Sequence, residues 1–489
     1  MRPLPLEQDE ADYVIIGTGA GGATAARVLS DAGHRVLMLE EGRWLREKPA
    51  ALLESFSASM RSFATQSTAA RLPIALLQGR CVGGSTAINS GIIWRLPEDV
   101  RQQWSAHYGL GELLRAAPLD AAFARIEAEL QVGRTEAGVL GGNSALMQQA
   151  SRALGLPGQR MQRNTPGCVG ASRCLQGCPT GARQSMERSY VPQALRLGAR
   201  LHTDVRAVRV LHDGRRATGV LGQRLGPGGR PVRRFVAQAR LGVIVAAGAI
   251  QTPLLLLQSG LKRRVGWGFQ AHPGCAVLGR FDHPVQMGQG ATQGYEVPQR
   301  ARGFKLESLA LPTELLAARL PGWGRDWQAR LDAMDHMAQW VVQVRMAARG
   351  RVRRLPGGAP LVHYSPQPAD IAKAQSAVAL LSEMMFAAGA REVYPGIGGL
   401  PEVLHAAGQV RQLKEARLKP HHFRLVASHL FSTATAGADP RCSVVDAGLE
   451  AHDLRRLYVM DASALPTNLG VNPQHSIMAL VWRAAEQMA

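Results

Sequence analysis

The chain is short of cysteine, with six in 489 residues, and of lysine, with six among its 57 basic residues. Three of the cysteines fall within eleven positions, which excludes a disulfide framework spread along the chain. Charged residues make up only 19% and hydrophobic residues 46%, so a disordered, self-repelling chain is excluded as well. No apolar run of membrane-spanning length is left unbroken. The longest, Leu241 to Leu257, is interrupted by Gly242, Gly248, Gln251, Thr252 and Pro253, and reads as a buried strand followed by a helix. The N-terminal segment runs from Met1 through an acidic stretch into an apolar strand without the charged, apolar and cleavage regions of a secretory signal, so a cytoplasmic location is expected. There is no internal repeat and no haem-binding motif.

The formal net charge is +20, nearly all of it from arginine. Its densest clusters, Arg224 to Arg240 and Arg345 to Arg354, do not interleave aromatics with basic residues, so nucleic acid is not an expected partner. An acidic redox partner or a peripheral contact with an anionic membrane surface stays open. The length suits two or three domains with a substantial core.

Asp12 to Ile16 is a short apolar run, Gly17 to Gly22 a glycine-rich turn, Ala23 to Leu29 a small-residue helix face and Arg35 to Leu39 a second apolar run. This strand, turn, helix and strand carries G-x-G-x-x-G at Gly17, Gly19 and Gly22, with Glu40 eighteen residues beyond Gly22. The glycines permit a tight turn and close approach of backbone to a pyrophosphate at a helix N-terminus, and the acid can accept from ribose hydroxyls. Further apolar strands at Val243 to Ala247 and Leu457 to Met460 imply a nucleotide-binding sheet assembled from distant pieces. A small-residue loop, Gly79 to Gly91, and the strand end at Asp461, Ala462 and Ser463 add contacts that suit FAD better than a nicotinamide cofactor alone. Between these pieces, Trp323, Trp327, Trp340, Met334, Met337, Met384 and Met385 read as the core of a substrate-covering domain.

These residues resemble the glucose-methanol-choline (GMC) oxidoreductases, FAD enzymes that oxidise alcohols. Gly17 to Gly42 resembles the family's FAD fingerprint, Gly79 to Gly91 its first signature, and Gly248 to Leu261 its second, which departs at Lys262 where the family has Gly. Val265 to Pro273 and His429 to Ala485 also match. The resemblance implies an α/β fold: a Rossmann-like FAD-binding domain over 11–270 and 425–489, bearing a Cys-containing loop near 164–184, and an α+β substrate-binding cap over 271–424. It implies FAD contacts at Gly17, Gly19, Gly22, Glu40, Gly83, Gly84, Ser85, Asn89, Val205, Gly248, Asp461, Ala462, Pro473 and Ser476. Some members attach FAD through a His that would fall at Ile88, so dissociable FAD is expected here.

The family's catalytic pair maps to His429, in His429-Leu-Phe-Ser432-Thr433 with Ser432 replacing a Gly, and to Asn472. The implied roles are His429 as base and Asn472 as holder of the substrate oxygen, while hydride leaves for the flavin. His475 is expected as a supporting residue near the flavin, and His272 as a loop residue at the flavin domain's edge. Cys168, Cys174 and Cys178 form C-x5-C-x3-C-P, whose end resembles a ferredoxin run. A similar stretch holds a [3Fe-4S] cluster in some FAD-dependent sugar dehydrogenases of the family, whereas in other members the cysteines simply pack the loop.

The expected activity is oxidation of a hydrophobic primary or secondary alcohol by a dehydrogenase passing electrons to a non-oxygen acceptor, such as a cytochrome or small electron-transfer subunit. A small chaperone subunit is another candidate partner. An oxygen-using oxidase, a flavin-containing lyase and a non-enzymatic flavin-binding subunit remain as alternatives.

Overall fold

A computed structural model describes residues 4–47, 49, 51–70 and 73–489. The first three residues of the segment read for a secretory signal lie outside it. The apolar runs become a parallel sheet core. Strand Leu6–Ile16 pairs in parallel with Val36–Leu39 on one side and Pro231–Val245 on the other, and Leu457–Val459 adds to the far edge of Pro231–Val245. Val36–Leu39 also pairs in parallel with Arg200–His202, which makes the doubly wound arrangement expected of a dinucleotide fold. Helix Ala20–Asp31 leaves the glycine turn and packs against the last helix, Gln474–Glu486. Antiparallel strands Val205–His212 and Ala217–Leu225 extend the sheet to seven strands.

The second sheet has ten strands and its own hydrophobic core. Its spine is Trp267–Arg280, which pairs antiparallel with Met337–Val344, followed outward by Phe304–Ser308 and Tyr295–Gln299. Helix Pro368–Ala387 lies against it, started by a reciprocal cap between Gln367 and Asp370. Trp340 and Met337, Met384 and Met385 are core residues as expected; Trp323 is not, being 88% exposed.

Strand Val426–Phe431, which carries His429, pairs with Trp267–Arg280 and with Ala75–Leu76 in this second sheet. The boundary expected at residue 425 would place that strand with the first domain. Hydrogen bonding joins it to the second, because the chain crosses back only after the strand has completed the cap sheet. Gln159–Arg160 likewise leaves the first domain's sequence to pair with Tyr295–Gln299. His429 therefore lies in the second sheet.

Candidate functional site

A single cavity of about 1290 Å³ runs from the glycine turn to the second sheet. A drug-sized ligand fills roughly 300–1,000 Å³, so there is room for a dinucleotide and a substrate together. At the turn, Gly17 has φ +98°, and a Cβ there would meet the carbonyl oxygen of Ala246 at 2.3 Å. Gly19 caps helix Ala20–Asp31 with no side-chain hydrogen bond, which leaves the first-turn N–H groups to face the cavity and its positive helix end available to phosphate. The space above Gly19 is open, since nothing lies within 4 Å of a Cβ built there. These features fit the pyrophosphate of FAD.

Gly17, Gly19, Glu40, Gly84, Ser85, Asn89, Val205, Gly248, Asp461, Ala462 and Pro473 all line the cavity. Glu40 accepts from Thr18 N–H at 3.1 Å, the Thr18 hydroxyl at 2.7 Å and Gly42 N–H at 2.9 Å, while burial pushes its carboxyl upward. Asp461 accepts from Gly248 N–H at 2.8 Å, the Thr252 hydroxyl at 2.5 Å and Ser463 N–H at 2.7 Å, binding the strand end to the start of helix Gly248–Gln258.

Three expected contacts lie off the cavity. Gly22 serves packing, because a Cβ there would meet the Gly17 oxygen at 2.0 Å. Gly83 donates its N–H to the Thr18 hydroxyl at 3.1 Å and so holds the loop rather than the cofactor. Ser476 is fully buried in helix Gln474–Glu486. His475 also turns away: its Nε2 lies 3.0 Å from Glu127 Oε1 and its ring 4.7 Å from Phe123, so it ties the last helix to Ala116–Glu129.

His429 and Asn472, 43 residues apart in sequence, face the same end of the cavity. His272 joins them there, a correction to its reading as an edge-loop residue. Its Nδ1 lies 3.4 Å from His429 Nδ1, and Gly470 N–H donates to its Nε2 at 2.8 Å. Sequence reasoning also missed Lys305, Glu307, Gln293 and Gln343. Gln293 and Gln343 donate to Glu307 Oε2 at 2.7 and 2.9 Å, and Lys305 stands behind them. Phe-Lys-Leu-Glu-Ser reads as an ordinary half-exposed strand, and no local pattern marks Lys305 and Glu307 as buried.

Burial and then the Lys305 charge push His429 down to about 3, and burial with the neighbouring His429 holds His272 well below its usual value. Both rings are therefore neutral in the folded protein at neutral pH. Their folded values lie below the unfolded one, so their contribution to stability is complete above about pH 6.5 and is lost as pH falls below it, for His429 down toward about 3. Each unit of depression corresponds to about 1.4 kcal/mol. Thermal denaturation of the protein is expected to show a falling Tm between these limits, with a shallower fall in His429→Asn; equal slopes would remove His429 from the account.

The cysteine segment does not form a metal site. Among the described residues no three Cys, His, Asp or Glu side chains gather as a metal ion requires. Cys174 and Cys168 both face the buried Arg163, whose nitrogens lie 3.4 and 4.0 Å from the sulfurs, while Cys178 faces the Thr180 hydroxyl at 3.6 Å. A guanidinium lies against two of the three sulfurs and the third faces a hydroxyl, so the three do not converge on one point. Arg163 also donates to the Ser90 carbonyl at 2.9 Å, and Arg183 to the carbonyls of Ala87, Asn89 and Cys174, so the segment braces the Gly79 to Gly91 loop. The residues do not fit an iron–sulfur cluster.

Among the described residues no helix is long and apolar enough to cross a membrane. The GMC oxidoreductase N-terminal profile matches residues 11–274 and the C-terminal profile residues 347–480. An uncharacterized GMC-type oxidoreductase of Mycobacterium tuberculosis is 35% identical over 484 residues, covering 98% of this chain and 75% of its own length. A long-chain-alcohol oxidase of Arabidopsis thaliana is 25% identical over 519 residues, covering 98% of this chain and 68% of its own. A formate oxidase of Aspergillus oryzae shares the fold with a TM-score of 0.75 at 16% identity, over 99% of this chain and 98% of that one. A pyridoxine 4-oxidase does so at 0.71 and 18%, over 97% and 98%.

Proposed function

The chain belongs to the GMC oxidoreductase family of FAD enzymes, and on that premise we propose that it oxidises the CH–OH group of a hydrophobic alcohol to a carbonyl. One observation carries the reading: a continuous cavity joins the pyrophosphate cradle to the half-buried His429 and the buried Asn472. When bound, FAD supplies the acceptor for the hydride that leaves the carbinol carbon. His429 and Asn472 hold the alcohol oxygen.

The cavity mouth supports a hydrophobic substrate. Leu52, Leu53 and Phe56 of helix Leu52–Ser59, with Phe63, Leu175 and Leu315, line it, and Leu53 and Phe63 are 66% and 44% exposed. Apolar side chains left in water at an opening gain by covering an alkyl chain, at about 25 cal/mol per Å² removed from water. The alcohol oxidase relative supports the same class. Ile88 lines the cavity and offers no nucleophile, in keeping with dissociable FAD.

The alcohol oxidase relative supports molecular oxygen as acceptor, with a separate electron-transfer partner as the alternative. Anaerobic mixing of the holoenzyme with primary and secondary alcohols of increasing chain length tests the whole. Flavin bleaching that strengthens with chain length is expected, followed by oxygen uptake when air is admitted. No bleaching by any alcohol would sink the alcohol reading and favour a lyase; bleaching without oxygen uptake would restore the separate acceptor.

A further inference from the structure

The partners behind His429 and Asn472 leave each of them one way to face the cavity. Lys305 is wholly buried on strand Phe304–Ser308. Its Nζ donates to Asn472 Oδ1 at 2.5 Å and lies 3.0 Å from Glu296 Oε2 and 2.5 Å from Glu307 Oε1, with the Trp94 ring 5.3 Å away. Trp94 in turn donates its indole N–H to Glu296 Oε2 at 3.0 Å. An ammonium group only donates, so the amide atom it holds is the oxygen, and the NH2 of Asn472 is left for the cavity.

A second chain fixes His429. Gly470 N–H can only donate, so His272 Nε2 must accept, and the neutral His272 ring carries its proton on Nδ1. That proton meets His429 Nδ1 at 3.4 Å, with the Asn468 side chain a further hydrogen-bonding neighbour of the His272 ring, and a proton there leaves that of His429 on Nε2. Among the described residues neither His429 Nε2 nor Asn472 Nδ2 has a hydrogen-bond partner or is a buried orphan, and both residues line the cavity.

We propose that Lys305 and His272 are positioning residues that set Asn472 and His429 as a pair of N–H donors, so that the site takes its ligand by a carbonyl or alkoxide oxygen. His429 then enters as a donor to that oxygen, where the sequence suggests a base. For His429 to accept a proton at Nε2 first, both imidazoles would have to exchange tautomers and set an N–H of His272 against the N–H of Gly470. Donors aimed in advance at an oxygen strengthen as negative charge grows there, and the Lys305 charge stands directly behind one of them. A buried lysine serving only to neutralise Glu296 and Glu307 has no need of a third contact to an amide in the cavity wall.

The proposal rests on the alcohol reading only for which oxygen is bound. It is tested with 2-decanone, which accepts hydrogen bonds, donates none and is not oxidised, its binding followed by the shift it causes in the flavin absorption of the holoenzyme. Asn472→Asp keeps the shape and still offers Lys305 an oxygen, but replaces the cavity-facing NH2 with an acceptor, and is expected to raise the Kd at least about tenfold. Lys305→Met frees the amide to flip and is expected to weaken binding similarly, yet to add nothing in the Asn472→Asp background. His429→Gln, whose amide can supply the N–H, is expected to bind the ketone more tightly than His429→Ala. Native affinity in Asn472→Asp, multiplying losses in the double variant, or equal weakness of His429→Gln and His429→Ala would each overturn the proposal. If Lys305→Met does not retain flavin, His272→Phe takes its place and is expected to weaken binding by releasing the His429 tautomer; unchanged affinity there overturns the proposal too. Ketone binding with these dependences, in a protein that no alcohol reduces, would refute the alcohol reading alone.

Discussion

Gly19→Val is expected to give a folded protein that purifies without flavin. Gly19 has φ −68° and ψ −168°, ordinary extended backbone that valine adopts without strain. No atom lies within 4 Å of its added Cβ, so the flavin-free fold has nothing to push aside. The branched side chain instead fills the space over the first turn of helix Ala20–Asp31, where a pyrophosphate would approach the N–H groups. Gly17→Val is the contrasting variant. There the new Cβ meets the Ala246 carbonyl oxygen at 2.3 Å and the backbone needs φ +98°, so the strand junction itself must break. Visible absorption for flavin and circular dichroism for folding separate the two. Gly19→Val with native flavin content would move the dinucleotide away from this turn.

His429→Ala is expected to slow flavin reduction by the best alcohol about 10²- to 10³-fold, the usual cost of one donor at a reacting oxygen, while flavin content stays native. The side chain lies on strand Val426–Phe431, whose ladder with Trp267–Arg280 is formed by the residues on either side of it, Leu430 and Ala427, so truncation is expected to leave the backbone pairing in place. It contacts His272 but none of the residues at the glycine turn. Anaerobic stopped-flow absorbance gives the rate. A loss smaller than tenfold would place the chemistry elsewhere in the cavity.

The dinucleotide half of the site was legible because its signals are local. A strand, a glycine turn, a helix and an acid within 35 residues specify one supersecondary unit, and its roles follow from backbone sterics. Even there the individual glycines could not be sorted by motif. Gly19 faces open space and Gly22 packs on Gly17, and that distinction depends on which surface each hydrogen meets. His475 shows the same limit. It is three residues from Asn472, yet Asn472 precedes the helix that starts at Gln474, while His475 lies inside its first turn and faces Glu127 and Phe123.

The cysteine segment failed for a different reason. Its spacing suits thiolate ligation, but spacing says nothing about Arg163, a few residues upstream, whose buried guanidinium packs against Cys168 and Cys174 while Cys178 faces Thr180.

The family and the cofactor class were legible in the sequence by itself, through motifs that resemble those of known members and through a glycine turn whose backbone demands are met by neighbours in the chain; the same resemblance singled out His429 and Asn472 as candidates. Only the tertiary structure decided which partners stand behind each of those two side chains. Lys305 reaches Asn472 across 167 positions, and Gly470 reaches His272 across 198. A proton's place on an imidazole, or an amide's choice of face, is set by the donor or acceptor packed behind it, and that neighbour is supplied by the meeting of two sheets.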